Sequence, residues 1–180
     1  KTRGSRSSMR PPGRSRSASR VHDVPCPDCT WRPNPGELWP SEGAVACQWI
    51  EDNLIFGEGD FYGKPFRLRA DQKLFLWNWY TYCGGCGRWR YTQGLKGAAT
   101  GDGKSEFIAA IACLEFAGPS RIAVASPNIV IAAASFEQAN ILFGKAATML
   151  GARDCPGCPA PLCGLFTFYD TEITFKDGRP

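Results

Sequence analysis

Ala98-Ala99-Thr100-Gly101-Asp102-Gly103-Lys104-Ser105 is the stretch on which the reading of this 180-residue chain turns. It stands one residue from the phosphate-binding pattern G-x-x-x-x-G-K-[ST], departing from it at the first position, Ala98. A loop of this kind needs small residues so that its backbone N–H groups converge on phosphate oxygens. It also needs to open a helix, whose N-terminal partial positive charge favours anions. In that arrangement Lys104 reaches the β- and γ-phosphates and Ser105 ligates Mg²⁺.

The surroundings of the loop read as the setting such a loop requires. A strand is expected from about Arg90 to Ala98, then the loop, then a helix from Glu106 to Ala117 that Gly118-Pro119 stops. A second strand is expected over Asn128 to Ala134, after which Ser135 and Gln138 have the spacing of a capping box and open a helix to about Leu150. Gly151 suits the end of that helix. Leu165 to Phe175 alternates in polarity as a strand or hairpin arm does. Short apolar runs alternating with helices predict an α/β fold, a phosphate-loop NTPase with a mainly parallel sheet flanked by helices.

Upstream, two helices precede this core. Ala44, Cys47, Ile50 and Leu54 recur at helical spacing in the run from Glu42 to Phe56. The run from Asp71 to Tyr82 is so dense in Leu, Phe, Trp and Tyr that burial on most sides is expected. At the start of the chain, residues 1–20 hold seven of the 21 basic side chains and no acid, which leaves 14 basic against 17 acidic in the rest. The body is slightly acidic although the formal net charge is +4. An Arg/Ser/Pro/Gly-rich tail without large apolar groups cannot offset its ordering entropy, so residues 1–24 read as disordered. The apolar stretches around Phe107–Ala117 and Ile129–Ala134 fall well short of the roughly 18 residues a membrane span needs, and the reading is of a soluble chain without a membrane partner.

Three separated blocks resemble the ATPase half of the large terminase subunit of tailed bacteriophages. They are Gly57-Glu58-Gly59-Asp60-Phe61 with Gly63-Lys64-Pro65-Phe66-Arg67-Leu68 and Gln72, then Gly97 to Glu106 with Ala109-Ala110-Ile111-Ala112, then Ala132-Ala133-Ala134-Ser135-Phe136-Glu137-Gln138-Ala139. The resemblance covers roughly residues 42–180. It implies a motor that hydrolyses ATP with Mg²⁺ to drive double-stranded viral DNA into a procapsid, in the cytoplasm of the bacterial host, with the portal protein and the small terminase subunit as partners and a homo-oligomeric ring as the assembly. Carried over, Lys104 is the catalytic lysine and Gln72, Ala99, Thr100, Gly101, Asp102, Gly103, Lys104, Ser105 and Glu106 hold the nucleotide. Gln72 matches the glutamine that reads the adenine edge, for which a carboxamide supplies both a donor and an acceptor. The Mg²⁺-holding acid and the water-orienting glutamate of the family lie beyond the equivalent of Pro180, so Asp170 and Glu172 are expected to be polar strand residues and the chain to be a fragment. The expected organisation is a tail at 1–24, a helical segment with the glutamine and paired cysteines at 25–88, and a truncated ATPase core at 89–180.

Nine cysteines form a second pattern. Cys26-Pro27-Asp28-Cys29, Cys83-Gly84-Gly85-Cys86 and Cys155-Pro156-Gly157-Cys158 each place two thiols at zinc-knuckle spacing. Cys26, Cys29, Cys83 and Cys86 are the candidate ligands of one structural Zn²⁺, with reduced unliganded thiols as the alternative. Cys47 and Cys113 read as core residues. Two rival functions stay open: another phosphate-loop ATPase or nucleotide kinase, and a zinc-binding nucleic-acid module whose basic tail tracks phosphates.

Overall fold

The computed structural model describes residues 29–97, 99, 101–123, 127–151 and 158–177. The basic tail, Cys26, Ala98, Thr100 and Cys155 lie outside these residues. Four helices follow in order: α1 (Gly43–Asn53), α2 (Ala70–Trp79), α3 (Lys104–Ala117) and α4 (Phe136–Met149), with a one-turn 3₁₀ helix, Gly59–Phe61, between α1 and α2. Two three-residue strands, β1 (Phe166–Phe168) and β2 (Ile173–Phe175), close the described chain as an antiparallel hairpin in which Phe166 faces Phe175 and Phe168 faces Ile173.

The expected mainly parallel sheet is overturned. This is an α-rich fold whose sheet, among the described residues, has two antiparallel strands. The segments expected as parallel strands, 90–97 and 128–134, form no ladder with one another. A parallel strand is covered by helices on both faces, whereas Leu95 is 95% exposed and Val130 77% exposed. A short apolar run has the same composition in a buried strand and in an uncovered connection, and only a pairing partner decides between them.

The helices form two packed pairs, α1 with α2 and α3 with α4, and α1 also touches α3. Their contact surfaces share one core in which Ile50, Leu54, Leu76, Phe107, Cys113, Leu114, Met149 and Phe166 are almost wholly enclosed. On α1 the buried stripe runs through Gly43, Ala46, Ile50 and Leu54, and Ala44, expected on that face, is exposed. Gly43 sets this rotation. A Cβ there would lie 2.3 Å from the Trp77 Cα, so the two helix backbones meet at a spot that admits only hydrogen. Helix α2 is less enclosed than its composition suggests, with Leu74 62% and Trp77 44% exposed. Its inner face, Gln72, Leu76 and Tyr80, follows the i, i+4, i+8 row that faces a neighbour. The Tyr80 hydroxyl donates to Glu115 at 2.7 Å, tying α2 to α3. No helix among the described residues is long and apolar enough to cross a membrane.

Candidate phosphate loop and cysteine hairpin

Gly103 caps the start of α3 in the left-handed region (φ +68°) and Gly101 adopts the same region (φ +81°) two residues earlier. An L-residue pays for that conformation in contacts between its Cβ and its own backbone, which is why the loop is written with glycine at both positions. The two reversals bring the chain round so that the Lys104 ammonium donates to the carbonyl of Ala99 at 3.2 Å. Ser105, Glu106 and Phe107 follow in the first turn of α3. The aromatic ring of Phe107 is buried against the core and anchors that turn. Beside it, Lys104, Ser105 and Ile108 face Gln138, Ile141 and Leu142 of α4 across an open cavity of about 350 Å³.

Two sets of charges hold the loop from behind. Arg69, the residue before α2, donates to the Asp102 carbonyl at 2.9 Å and to the Asp102 carboxylate at 3.1 Å. The same guanidinium takes the Asp71 carboxylate through two nitrogens at 3.0 and 3.2 Å, and Lys96 reaches Asp71 at 2.9 Å. Hydrogen bonds from Arg69 and then Lys96 hold the Asp71 carboxyl far below the usual carboxylate range. The second set is partly buried. Lys145, near the end of α4 and 8% exposed, donates to Glu106 at 2.5 Å and to the exposed Glu58. Burial by itself would raise the Glu106 carboxyl and lower the Lys145 ammonium. Burial is the largest single effect on each, but the hydrogen bonds and charge attraction among Lys145, Glu106 and Glu58 together outweigh it, so the carboxyl sits below its ordinary value and the ammonium above.

Gln72 is 4% exposed, and its carboxamide oxygen accepts from the Arg69 backbone N–H at 2.9 Å. The glutamine therefore caps the start of α2, one turn from the arginine that grips Asp102. Ser135 caps α4, its hydroxyl accepting from the Gln138 N–H at 3.3 Å. Asp170 and Glu172 sit exposed in the turn of the β1–β2 hairpin, where the Glu172 carbonyl accepts from the Tyr169 N–H at 2.8 Å.

The cysteines converge elsewhere. Past α2 the chain turns back on itself, Tyr82 pairing antiparallel with Trp89, the Cys83 N–H donating to Arg88 at 2.9 Å and the Gly87 N–H to Cys83 at 2.7 Å. Cys83 and Cys86 stand on this turn. The segment before α1 runs alongside, with the Tyr82 N–H donating to Pro40 and Ser41 bridging Thr81, and it carries Cys29 to within 3.6 Å of Cys83, sulfur to sulfur. The sulfurs of Cys29, Cys83 and Cys86 all lie within 4.8 Å of one another, an arrangement able to hold a metal ion. Backbone N–H groups of Cys86 and Gly85 point at the Cys83 sulfur and bring its thiol down to about 7. Of the other cysteines, Cys113 is buried with its thiol pushed up by burial, Cys47 is half-buried on α1, and Cys163 is exposed.

Arg69, Asp71, Lys96, Glu58 and Lys145 escaped the sequence reading as parts of this site. Lys145 did carry a signal, because it is a lone cation in the run Ala146-Ala147-Met149 that forms the buried face of α4. Comparison of the chain with protein-family models, with curated proteins and with solved structures finds no match.

Proposed function

We propose that the loop entering α3 binds the phosphates of ATP with Mg²⁺, and that the chain is the ATP-holding part of a bacteriophage large terminase subunit. The observation that carries phosphate binding is the pair of left-handed glycines, Gly101 and Gly103, which turn the chain into the N-terminus of α3 with the Lys104 ammonium at the same mouth. In this reading Lys104 leaves the Ala99 carbonyl for the β/γ-phosphate oxygens, and the Ser105 hydroxyl faces the metal. Arg69 keeps Asp102 turned away, so that a carboxylate does not compete with phosphate for the loop amides. Gln72 holds Arg69 in place by capping its backbone.

The terminase reading is supported by the order of the three blocks and by how they meet. Glu58 from the first block and Glu106 from the second share Lys145, and Gln138 from the third borders the same cavity as Lys104 and Ser105. A phosphate loop tied through Lys145 to the block before it and bordered by the block after it suits a motor in which nucleotide state must be passed to the rest of the protein. Double-stranded viral DNA is the proposed substrate of that motor, acting in the bacterial cytoplasm with portal and small-subunit partners and a ring of like subunits. The mainly parallel sheet is no part of the proposal.

Calorimetric titration of the full chain with Mg-ATP tests it. A charge-assisted contact of the Lys104 kind contributes about 1.5–3 kcal/mol, so Lys104→Ala is expected to weaken binding roughly ten- to a hundred-fold. Equal affinity in the two proteins removes Lys104 from the site and the phosphate-loop reading with it.

A further inference from the structure

We propose that Cys29, Cys83 and Cys86 bind one Zn²⁺ as thiolates, a structural metal that ties the segment before α1 to the hairpin after α2. The spacing of the sulfurs suits a metal and not a disulfide. With Zn–S bonds of about 2.3 Å in tetrahedral array, neighbouring sulfurs stand roughly 3.8 Å apart, and the Cys29 and Cys83 sulfurs are 3.6 Å apart. A disulfide needs about 2.05 Å and would leave the third thiol of the cluster unused. Softness points the same way, since an all-thiolate set selects zinc over the hard cations that carboxylates take.

The turn around the sulfurs is built for this contact. A Cβ on Gly85 would stand 2.6 Å from the Trp31 Cβ and 2.8 Å from the Cys29 sulfur, and one on Gly84 2.6 Å from the Trp31 ring. Glycine at both positions lets the chain that carries Cys29 lie directly on the Cys83–Cys86 turn, with Trp31 covering it. Trp31 is held in turn by an edge-to-face contact with Trp39, against which the Arg90 guanidinium stacks at 3.8 Å from the ring centre. The joined segments are 54 residues apart in sequence, and a metal closing so long a loop removes much of the entropy of the unfolded chain. As each sulfur–metal bond forms, the thiol proton passes to solvent, and no electron is transferred. Three sulfurs leave one tetrahedral position for a fourth ligand.

The test is the metal content of the full chain purified under reducing conditions. One zinc per chain is expected, removable by a chelator and replaceable by Co²⁺ with the absorption of tetrahedral cobalt thiolate. Cys83→Ser and Cys86→Ser are expected to lose it, whereas Cys163→Ser retains it. Should the serine variants fail to fold, thiol alkylation of the unaltered protein decides. Cys29, Cys83 and Cys86 resist the reagent until the chelator is added, while the exposed Cys163 reacts throughout. A chain that carries no metal and takes up neither Zn²⁺ nor Co²⁺, a stoichiometric metal that survives in both serine variants, or alkylation of all three thiols before chelation overturns the proposal.

Discussion

The loop at 99–106 and the cysteine hairpin at 83–86 are both short, glycine-rich turns, yet they are glycine-rich for opposite reasons. In the loop, a Cβ on Gly101 would meet nothing within 4 Å, and glycine serves there through its left-handed backbone. At Gly85 the Cβ would strike Trp31 and the Cys29 sulfur, and glycine serves by being small. The loop is thus a feature of local conformation. The hairpin is a feature of tertiary contact, closed on a segment from far away in the chain.

The largest effect expected from this difference is at Gly85. Gly85→Ala forces Trp31 and Cys29 off the turn, an overpacking cost of about 1–3 kcal/mol, and separates the sulfurs as well. Metal content and thermal unfolding measured together check it, and a variant that keeps both its metal and its melting temperature would show that the contact is slack. Gly101→Ala is the counterpart. It leaves the hairpin alone and costs about 1 kcal/mol of backbone strain at the loop, so stability falls slightly, metal content stays, and Mg-ATP affinity drops.

Lys145→Met lies between these two in size. It removes the cation that Glu58 and Glu106 share, and loss of a charge-assisted hydrogen bond in a half-buried setting costs about 2 kcal/mol. The pH dependence follows from the two shifts. Glu106 is depressed below its ordinary 4.5, so its contribution is present above that value and lost as pH falls through the lower, folded value. Lys145 is raised above its ordinary 10.5, so its contribution is complete below 10.5 and lost only at higher pH. The gap in melting temperature between the unaltered protein and Lys145→Met is therefore expected to be flat from pH 5 to 9, as read by circular dichroism, and to narrow below about pH 4. A gap that widens in acid would contradict a stabilising bridge from Lys145 to the two carboxylates.

What could be read from the sequence follows the same division between local and distant. All four helices are visible in it, because capping residues, glycine stops and apolar spacing act within a few positions. Ser135 with Gln138, and Gly103 before Lys104, lie where such local rules put them. The parallel sheet was misread because Ile129-Val130-Ile131 has the composition of a buried strand, while burial depends on neighbours that no local pattern names. On α1 the expected face holds at Ile50 and Leu54 but not at Ala44, where Gly43 and Ala46 are buried instead, since the close approach of Gly43 to Trp77 belongs to the pair of helices and to neither alone. For the cysteines, the spacing within each pair pointed to Cys26, Cys29, Cys83 and Cys86 as one set, and the fold brings the three described members, Cys29, Cys83 and Cys86, together. At the loop itself the residue types were legible, whereas the Arg69 clamp on Asp102 and the Lys145 bridge reach across 33 and 39 residues.

Amide chemical shifts of the isotope-labelled full chain, followed during titration with Mg-ATP, test the central claim most directly. If the loop entering α3 is the phosphate site, the amides of Gly101, Gly103, Lys104 and Ser105 move together and saturate with a single affinity, the amides of Gly84 to Gly87 stay where they are, and Lys104→Ala weakens the whole response. Saturable shifts confined to other parts of the chain, or none at the loop at millimolar Mg-ATP, would contradict it.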